Sequence, residues 1–463
     1  MDPQPGRLHI QHRQSCIELS NLLAKLDCMK SIFASFTVVC SLLLGSCERG
    51  NENPQTQTLH EKAPDTRVVE AQSNRTPDEI AYWDTAQRKG ANAFGNKPPS
   101  QSYFDAFADY GGEWMRLTWS KWDSASGDTF LIGDPSNYDG LVEDDVAVLK
   151  DVVARAKNSG IKLVFTPLTL PGSVWGQHNG DKIDDRLYSD KIYWEQSAAF
   201  WRDLADVFKD DPTVIAYNIV NEPTPERPTG HESGTPDKNR AWYQEQIGTA
   251  RDLPAFYDYV IDAIREVDEN TPIMIDGGFY GNPNGFDYFP SPLKDDKVLY
   301  SFHMYQPWAA TSVWNIRNGS KLVYPGEMEI WGKTEVWDAE RIQATIETPI
   351  NWAETHGIDR ARIVMGEFGC HRYLTWCATY LEDVLSAADT HNLHWAFYTF
   401  RSDSWGGMDY ELGGERPSKR SMGVTAETFW ELSEQNRLDE ISRSNTELFQ
   451  PISRRLKQTQ TRE

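Results

Sequence analysis

The chain has 463 residues, of which 39% are hydrophobic and 12% aromatic, enough for one large folded domain or two ordinary ones. Its formal net charge is -23 at pH 7. Nucleic-acid binding depends on clustered Lys and Arg, which this acidic chain lacks, so we expect no nucleic acid among its partners. A neutral polymer would meet no such charge repulsion.

The N-terminal region has the pattern of an exported lipoprotein. A basic start at 29 and 30 precedes an almost wholly apolar run over 31–44, too short to span a membrane as a mature helix, and a Leu-Gly-Ser-Cys sequence ends at Cys47. The pattern predicts a signal peptide over 29–46, cleavage before Cys47 and lipidation of that cysteine. We therefore expect an exported protein held by its lipid on the periplasmic or outer face of a bacterial membrane. A buried helix of the fold is disfavoured, because a polar segment follows at once.

The predicted domain organisation follows from that leader. Residues 1–28 are interpreted as a mis-assigned extension upstream of the true start at Met29, because a signal peptide acts from its own N-terminus. Residues 47–75 are rich in Asn, Gln, Thr, Glu and Pro and predict a flexible linker. The folded domain is assigned to 76–435. Residues 436–463 are a polar C-terminal tail, for which a further helix is left open and disorder is expected near its end.

Strand-like and helix-like segments alternate from about residue 90 onward. Eight strands are predicted, at 91–95, 114–118, 161–166, 214–220, 272–276, 298–303, 362–367 and 394–399, and helices at 142–158, 193–208, 254–267, 339–355 and 380–390. Eight parallel strands are what a closed (β/α)8 TIM barrel of the α/β class requires. Long connections at 167–192, 223–250 and 304–337 are expected at the C-terminal face of the strands, where loops of this length are usually functional.

Two glutamates follow two of these strands directly. Asn221-Glu222-Pro223 comes after the apolar run 214–220, and Gly366-Glu367 comes after the run 361–365. The C-terminal ends of barrel strands are where active sites lie. Two carboxyl groups facing each other across a cleft suit glycosidic bond cleavage, because one must protonate the leaving oxygen while the other attacks or activates water.

These motifs resemble glycoside hydrolase family 5, the retaining (β/α)8 group that includes cellulases and mannanases. The specific elements are Asn-Glu-Pro at 221–223 and Gly-Glu-Phe-Gly at 366–369, with Gly-Ala-Asn at 90–92, Trp-Met-Arg-Leu at 114–117 and His-Met-Tyr at 303–305 in the family's order. The resemblance covers roughly residues 80–435. It implies a glycosidase that cleaves β-linked glucan or mannan, as polysaccharide or oligosaccharide, by double displacement and without a cofactor.

The resemblance also implies roles for individual residues. Glu222 would be the general acid/base and Glu367 the nucleophile, while the supporting residues would be Asn221 at the sugar 2-hydroxyl, Arg116 and Tyr305 holding Glu367, and His303 beside Glu222. A cation beside Glu367 would lower the pKa of that carboxyl, whereas burial and the like charge of Glu367 would raise the pKa of Glu222.

Two positions depart from the family's pattern. The third strand commonly ends in a histidine, but here the run 161–165 continues as Thr-Pro-Leu-Thr-Leu. The last strand commonly supplies an aromatic platform under the reacting sugar, and either Trp395 or Tyr398 can occupy that place. We favour Tyr398 as the platform and Trp395 in the packing. Both departures bear on substrate preference more than on reaction type.

The seventeen tryptophans exceed what a core of this size needs. Indole faces stack on the apolar faces of pyranose rings, so some of them should line a cleft. The candidates lie just past strand ends: Trp119, Trp122, Trp175, Trp308 and Trp405. Trp201 and Trp352 occur in helical patterns and are assigned to the core.

Cys370 and Cys377 are the cysteines that remain in the folded domain once the leader is removed and Cys47 is lipidated. An oxidising compartment permits a disulfide bracing the loop after Glu367, and a pair of reduced buried thiols is the alternative. A metal site is not expected, because Cys370-His371 with Cys377 lacks a fourth ligand.

Two other functions compete with the glycosidase interpretation. The barrel could be a catalytically inactive carbohydrate-binding lipoprotein, but a binder has no need of an acid/base pair with its supporting residues. A metal-dependent hydrolase is disfavoured because no His-x-His or His-Glu-x-x-His pattern occurs. The choice between glucan and mannan, the linkage, and endo or exo action depend on loop shape and stay open at this level, and a monomer is the default expectation.

Overall fold

Eight parallel strands form a closed barrel, which confirms the predicted (β/α)8 fold. The computed structural model describes residues 79–175, 179, 182–402, 407–414 and 443–458, all within the unit Asn74–Glu463. The barrel strands are β1 (Lys89–Ala93), β2 (Trp114–Leu117), β3 (Lys162–Phe165), β4 (Val214–Asn218), β5 (Ile273–Asp276), β6 (Val298–Met304), β9 (Ile363–Phe368) and β10 (His394–Phe397). A separate antiparallel hairpin consists of β7 (Gly326–Ile330) and β8 (Lys333–Trp337). Each barrel strand pairs with its neighbour in chain order, and β10 closes the barrel on β1.

Helices alternate with the strands. Their bounds are Glu79–Asp84, Gln101–Asp109, Glu143–Asn158, Ile192–Phe208, Pro236–Gln246, Leu253–Arg265, Trp308–Thr311, Val313–Arg317, Ala339–Thr355, Cys377–Thr390 and Gln450–Leu456. In Glu143–Asn158 the buried residues Leu149, Val152 and Val153 recur at the spacing of one helix face. The same helix begins with acidic residues and ends with basic ones, an order that complements its dipole.

The N-terminal end of the barrel is filled by apolar side chains. Trp83, from the helix Glu79–Asp84, packs edge-on against Trp114 of β2 and donates a hydrogen bond from Nε1 to the carbonyl oxygen of Ile215 at 3.3 Å. The inner side chains form one separate cluster: Trp83, Trp114, Val164, Ile215, Ala216, Met274, Leu299, Val364 and Ala396. This end of the barrel is therefore a packed plug.

The strand and loop bounds differ from the prediction in three places. β1 begins two residues earlier than predicted and includes Gly90, where a Cβ atom would lie 2.5 Å from the carbonyl oxygen of Trp114. Only glycine permits β1 and β2 to approach so closely at this position. Gly90 is therefore a residue of strand β1. The predicted loop 223–250 contains the helix Pro236–Gln246, and the loop 304–337 contains the hairpin of β7 and β8.

Part of the predicted C-terminal tail packs onto the barrel. Phe449 and Ile452 are buried, and Lys89 Nζ donates a hydrogen bond to the carbonyl oxygen of Arg455 at 3.0 Å. The Arg455 guanidinium also donates to Glu382, with Nη2 at 2.9 Å from Oε1. The structure contains the helix left open for this tail, Gln450–Leu456, and the folded part of the chain extends past the assigned boundary at 435, because apolar residues spaced among the charges pack against the barrel.

Several predictions fall on residues that the structure does not describe. The extension 1–28, the signal peptide 29–46, the lipidated Cys47, the linker 47–75 and Trp405 all lie outside the described ranges. Among the helices that are described, none is both long and apolar enough to cross a membrane.

Candidate active site

The C-terminal ends of the barrel strands bring five ionisable side chains together. Arg116 lies on β2, Asp276 ends β5, His303 lies on β6 and Glu367 lies on β9. Glu222 follows β4 by four residues. Parallel strands place their carboxyl ends at one face, so residues far apart in the chain meet there.

Arg116 is the centre of the hydrogen-bond network. Its side chain is fully buried, and Nη1 donates to Glu367 Oε1 at 2.6 Å and to Asn92 Oδ1 at 2.9 Å. Nη2 donates to Asn218 Oδ1 at 2.7 Å and to Asn221 Oδ1 at 2.9 Å. A planar guanidinium held on both nitrogens cannot rotate, so its charge is fixed beside Glu367.

Both carboxylate oxygens of Glu367 are held by protein donors. Besides Arg116 at Oε1, the hydroxyl of Tyr305 donates to Oε2 at 2.8 Å. Burial raises the pKa of Glu367 above its ordinary value, while Arg116 and the Tyr305 hydrogen bond oppose that rise. The predicted lowering by Arg116 is therefore present but is outweighed by burial. Glycine is required at 366, since a Cβ there would lie 2.4 Å from the Ser301 hydroxyl.

Glu222 lies in a different environment. Its backbone has φ of 49°, a left-handed conformation that is costly for a non-glycine residue, and its N–H donates to Asp276 Oδ2 at 3.1 Å. Its Oε1 lies 2.8 Å from His303 Nδ1. Burial, and then the charges of Glu367 and Asp276, raise the pKa of Glu222 well above its ordinary value. Glu222 therefore keeps its proton to a higher pH than an exposed glutamate does.

His303 is neutral at ordinary pH. Burial, and then the charge of Arg116, lower its pKa well below the usual range. Its Nε2 lies 3.4 Å from Asp276 Oδ2, so the ring stands between Asp276 and Glu222. A neutral imidazole in this position orients the Glu222 carboxyl without ionising it.

The two glutamates face a common cleft. Its lining residues are Phe94, Lys121, Leu168, Trp175, Asn221, Glu222, Tyr305, Glu367 and Tyr398. A second part of the cleft continues past Glu222 and shares with the first Trp175, Asn221 and Glu222. Ligand atoms of Glu222, His303 and Glu367 all lie within 4.8 Å of one another. A cation placed among them would compete with the donors already on both oxygens of Glu367.

The aromatic candidates separate into lining and packing residues. Trp175 and Tyr398 line the cleft, while Trp395 is buried and packs edge-on against Phe368. Of the two candidates for the platform, Tyr398 therefore lines the cleft and Trp395 belongs to the packing. Trp201 is fully buried, as the helical pattern predicted.

Three predicted cleft tryptophans are placed elsewhere. Trp119 and Trp122 are 1% and 4% exposed and belong to the core, where Trp119 packs on Phe165. Trp308 begins a short helix, is 38% exposed and is not among the described residues that line the cleft. Position after a strand was the only basis for these assignments, and it does not determine which way a side chain turns.

Sequence reasoning missed three polar residues of the site. Asp276 and Asn218 end strands β5 and β4 and bond to Glu222 or Arg116. A signal for Asp276 was present, since an acid ends the apolar run 272–275 in the same way as the two glutamates end theirs. Lys121, which lines the cleft, had no such signal because it lies in a loop.

Cys370 and Cys377 are joined in a disulfide. The bond links the residue two positions after β9 to the start of the helix Cys377–Thr390. The backbone N–H of Cys370 also donates to the hydroxyl of Tyr410 at 3.1 Å. Of the two states left open by the sequence, the structure contains the disulfide.

Fold and site together define the class of (β/α)8 barrel glycosidases. Residues 74–404 match the model of cellulase, glycosyl hydrolase family 5. This match spans most of the chain, and the protein belongs to glycosyl hydrolase family 5.

Individual relatives are more distant. The chain is 31% identical over 121 residues to an Endoglycoceramidase of Hydra vulgaris, a match that covers 24% of this chain and 21% of that protein. It is 24% identical over 283 residues to Cellodextrinase A of Ruminococcus flavefaciens, covering 60% of this chain and 70% of the relative. The structure of Thermotoga maritima Cel5A in complex with cellobiose superposes with a TM-score of 0.51 at 17% identity, covering 71% of this chain and 94% of that one. The structural likeness supports the barrel fold.

Proposed function

We propose that the protein is a retaining β-glycosidase in which Glu367 is the nucleophile and Glu222 the general acid/base. The observation that carries this proposal is the separation of the two carboxyl groups, whose facing oxygens lie within 4.8 Å. Retaining glycosidases hold their carboxyl groups about 5–5.5 Å apart, whereas inverting ones need about 6.5–9.5 Å to admit a water molecule. The short separation favours direct attack by one carboxylate.

The proposed reaction has two displacements. An oxygen of Glu367 attacks the anomeric carbon as the bond to the leaving oxygen breaks, and Glu222 gives its proton to that oxygen. The glycosyl ester formed on Glu367 is then attacked by water, which loses a proton to Glu222, and the ester bond breaks to regenerate the carboxylate. Arg116 and Tyr305 keep the nucleophile aimed, and the raised pKa of Glu222 keeps the acid protonated.

The proposed substrate is a β-linked glucan or mannan, as polymer or oligosaccharide. Family membership and the names of the relatives support a β-linked glycan. The Endoglycoceramidase similarity, at higher identity over a shorter segment, adds glycosylceramide as a substrate to test.

The test is an assay of sugar release by the purified protein on glucomannan, barley β-glucan, laminarin, carboxymethylcellulose and a glycosylceramide. NMR of the first product reports its anomeric configuration, and Glu367→Gln is assayed in parallel. We expect one polymer to be cut with retained configuration by the wild type and spared by the variant. An inverted first product would overturn the double displacement.

An inactive carbohydrate-binding protein is the alternative. The buried ion pair of Arg116 and Glu367 argues against it, because burying these two charges costs folding free energy that sugar binding alone does not require. Binding of a polymer with no release of sugar would favour this alternative.

We also propose that the mature protein is anchored by lipid on Cys47. The support is the apolar run 31–44 followed by Leu-Gly-Ser-Cys. In bacteria fed an alkyne-labelled fatty acid, the wild type should acquire the label and fractionate with membranes, and Cys47→Ala should do neither. Labelling of both proteins would overturn the assignment.

A further inference from the structure

Lys121 lines the cleft beside the two glutamates, and the mechanism above gives it no role. Its Nζ donates one hydrogen bond, to the carbonyl oxygen of Phe94 at 3.2 Å. An ammonium has three donors and no acceptor. Within the described part of the chain Lys121 makes no second hydrogen bond, so two of its three donors remain for a ligand in the cleft.

The location of Lys121 assigns it to one side of the scissile bond. The acid/base protonates the leaving oxygen, so the leaving group lies on the side of Glu222. The part of the cleft that continues past Glu222 contains Arg227 and Tyr280 but neither Lys121 nor Glu367. Lys121 therefore lies in the same part of the cleft as Glu367. This part holds the sugar ring that becomes covalently attached to the enzyme.

Arg116, the other cation of the site, cannot donate a hydrogen bond to that sugar ring. Arg116 is fully buried and its terminal nitrogens are engaged by Glu367 and by side-chain oxygens of three asparagines. The loop after β3 contributes Leu168, an apolar residue, to the lining. Burial lowers the pKa of Lys121 to about 8, with Glu367 opposing the fall, so the ammonium is charged at neutral pH.

We infer that Lys121 is a substrate-binding residue whose ammonium donates a hydrogen bond to a hydroxyl of the sugar ring bound over Glu367. The inference rests on the proposed glycosidase function and deepens it. The family resemblance assigns the hydrogen bond to the sugar 2-hydroxyl to Asn221. The contact of Lys121 is therefore with another hydroxyl of the same ring. A hydrogen bond from a charged donor to a neutral hydroxyl is a specificity determinant, because removing either partner leaves the other without its contact.

The experiment compares Lys121→Met with the wild type on an aryl β-glycoside and on its 3-, 4- and 6-deoxy analogues. The wild type should lose about 10- to 100-fold in kcat/KM on one analogue. Lys121→Met should show a similar loss on the parent glycoside and no additional loss on that analogue. Lys150→Met, on the exposed face of the helix Glu143–Asn158, is the matched control and should behave as the wild type does.

Three outcomes would overturn the inference. The first is a Lys121→Met variant that does not differ from the wild type on the parent glycoside. The second is a variant that is impaired but retains the wild-type penalty on every analogue, as expected if Lys121 only holds the Phe94 loop. If thermal unfolding shows that the methionine variant does not fold, Lys121→Leu, which also lacks the donor, is tested with the same analogues, and an unchanged pattern of penalties counts against the contact. A wild type that cuts neither the aryl glycosides nor any of the polymers above would overturn the proposed function itself, which separates the two failures.

Discussion

The two ends of the barrel are built by the same strands and have opposite chemistry. At the N-terminal end β2 contributes Trp114 to an apolar plug, and two residues later it contributes Arg116 to the buried charged network. On β5 Met274 belongs to the plug and Asp276 to the network. Side chains two residues apart on a strand point to the same face. Successive inward-facing residues of one strand therefore belong first to the apolar cluster and then to the charged network.

This contrast shows how the barrel remains stable although burying the charges of the site costs folding free energy. Burying Arg116, Asp276 and Glu367 removes three charges from water, and each costs free energy unless it is paired and hydrogen-bonded. The plug offsets that cost by burying apolar area, and the indole N–H of Trp83 in it is paired with a backbone carbonyl. Substitutions at the charged end should therefore change catalysis, whereas substitutions at the apolar end should change stability.

The largest expected effect is at the charged end. Glu367→Gln should lower kcat on every substrate, by at least about 10⁴-fold, because the amide cannot form the glycosyl ester. Glu222→Gln should lose activity mainly on substrates with poor leaving groups, which need the proton. Steady-state kinetics on aryl glycosides of graded leaving-group pKa measure both. Glu354→Gln, on the exposed side of the helix Ala339–Thr355, is the control, and similar residual rates for both active-site variants on all leaving groups would contradict the assigned roles.

At the apolar end, Trp83→Ala should reduce the free energy of unfolding by about 3–5 kcal/mol, because it removes the side chain that closes the plug. At temperatures where the variant is folded, kcat/KM should be unchanged. Chemical denaturation measures the first and kinetics the second. Trp331→Ala is the matched control: this tryptophan is 80% exposed at the tip of the β7–β8 hairpin, and its loss should cost less than about 0.5 kcal/mol.

A smaller effect is expected from the disulfide. Replacing Cys370 and Cys377 together by Ala should lower the free energy of unfolding by about 2 kcal/mol, because a short closed loop restricts the unfolded chain. Reduction of the wild type should give the same shift in denaturant midpoint, and the reductant should not affect the double variant. A shift of the double variant by the reductant would show that the effect has another source.

The smallest effect concerns ionisation. Activity on poor leaving groups should fall as pH rises through the raised pKa of Glu222, because the acid loses its proton there. The charge of Glu367 contributes to that raised pKa, so Glu367→Gln should lower the pKa of Glu222. NMR titration of carboxyl-labelled glutamate measures the change. An unchanged pKa would show that the charge of Glu367 does not contribute to the raised pKa of Glu222.

The sequence predicted the barrel well because its signals are local. Seven of the eight predicted strands begin within one residue of the observed strands, and β1 begins two residues before its predicted start. The pair Glu222 and Glu367 was identified because each ends an apolar run. The packing of Phe449 and Ile452 against the barrel was missed, because apolar residues dispersed among charges give no periodic signal.

By itself, the sequence determined the alternation of strands and helices and the two motifs that place the glutamates at strand ends, since each depends on residues adjacent in the chain. Only the tertiary structure decided that Trp175 and Tyr398 face the cleft while Trp119 and Trp122 do not. It also decided that Arg116 binds Glu367, 251 positions away. Such contacts depend on the closure of the barrel, which sets side-chain direction and distance between segments that share no local pattern.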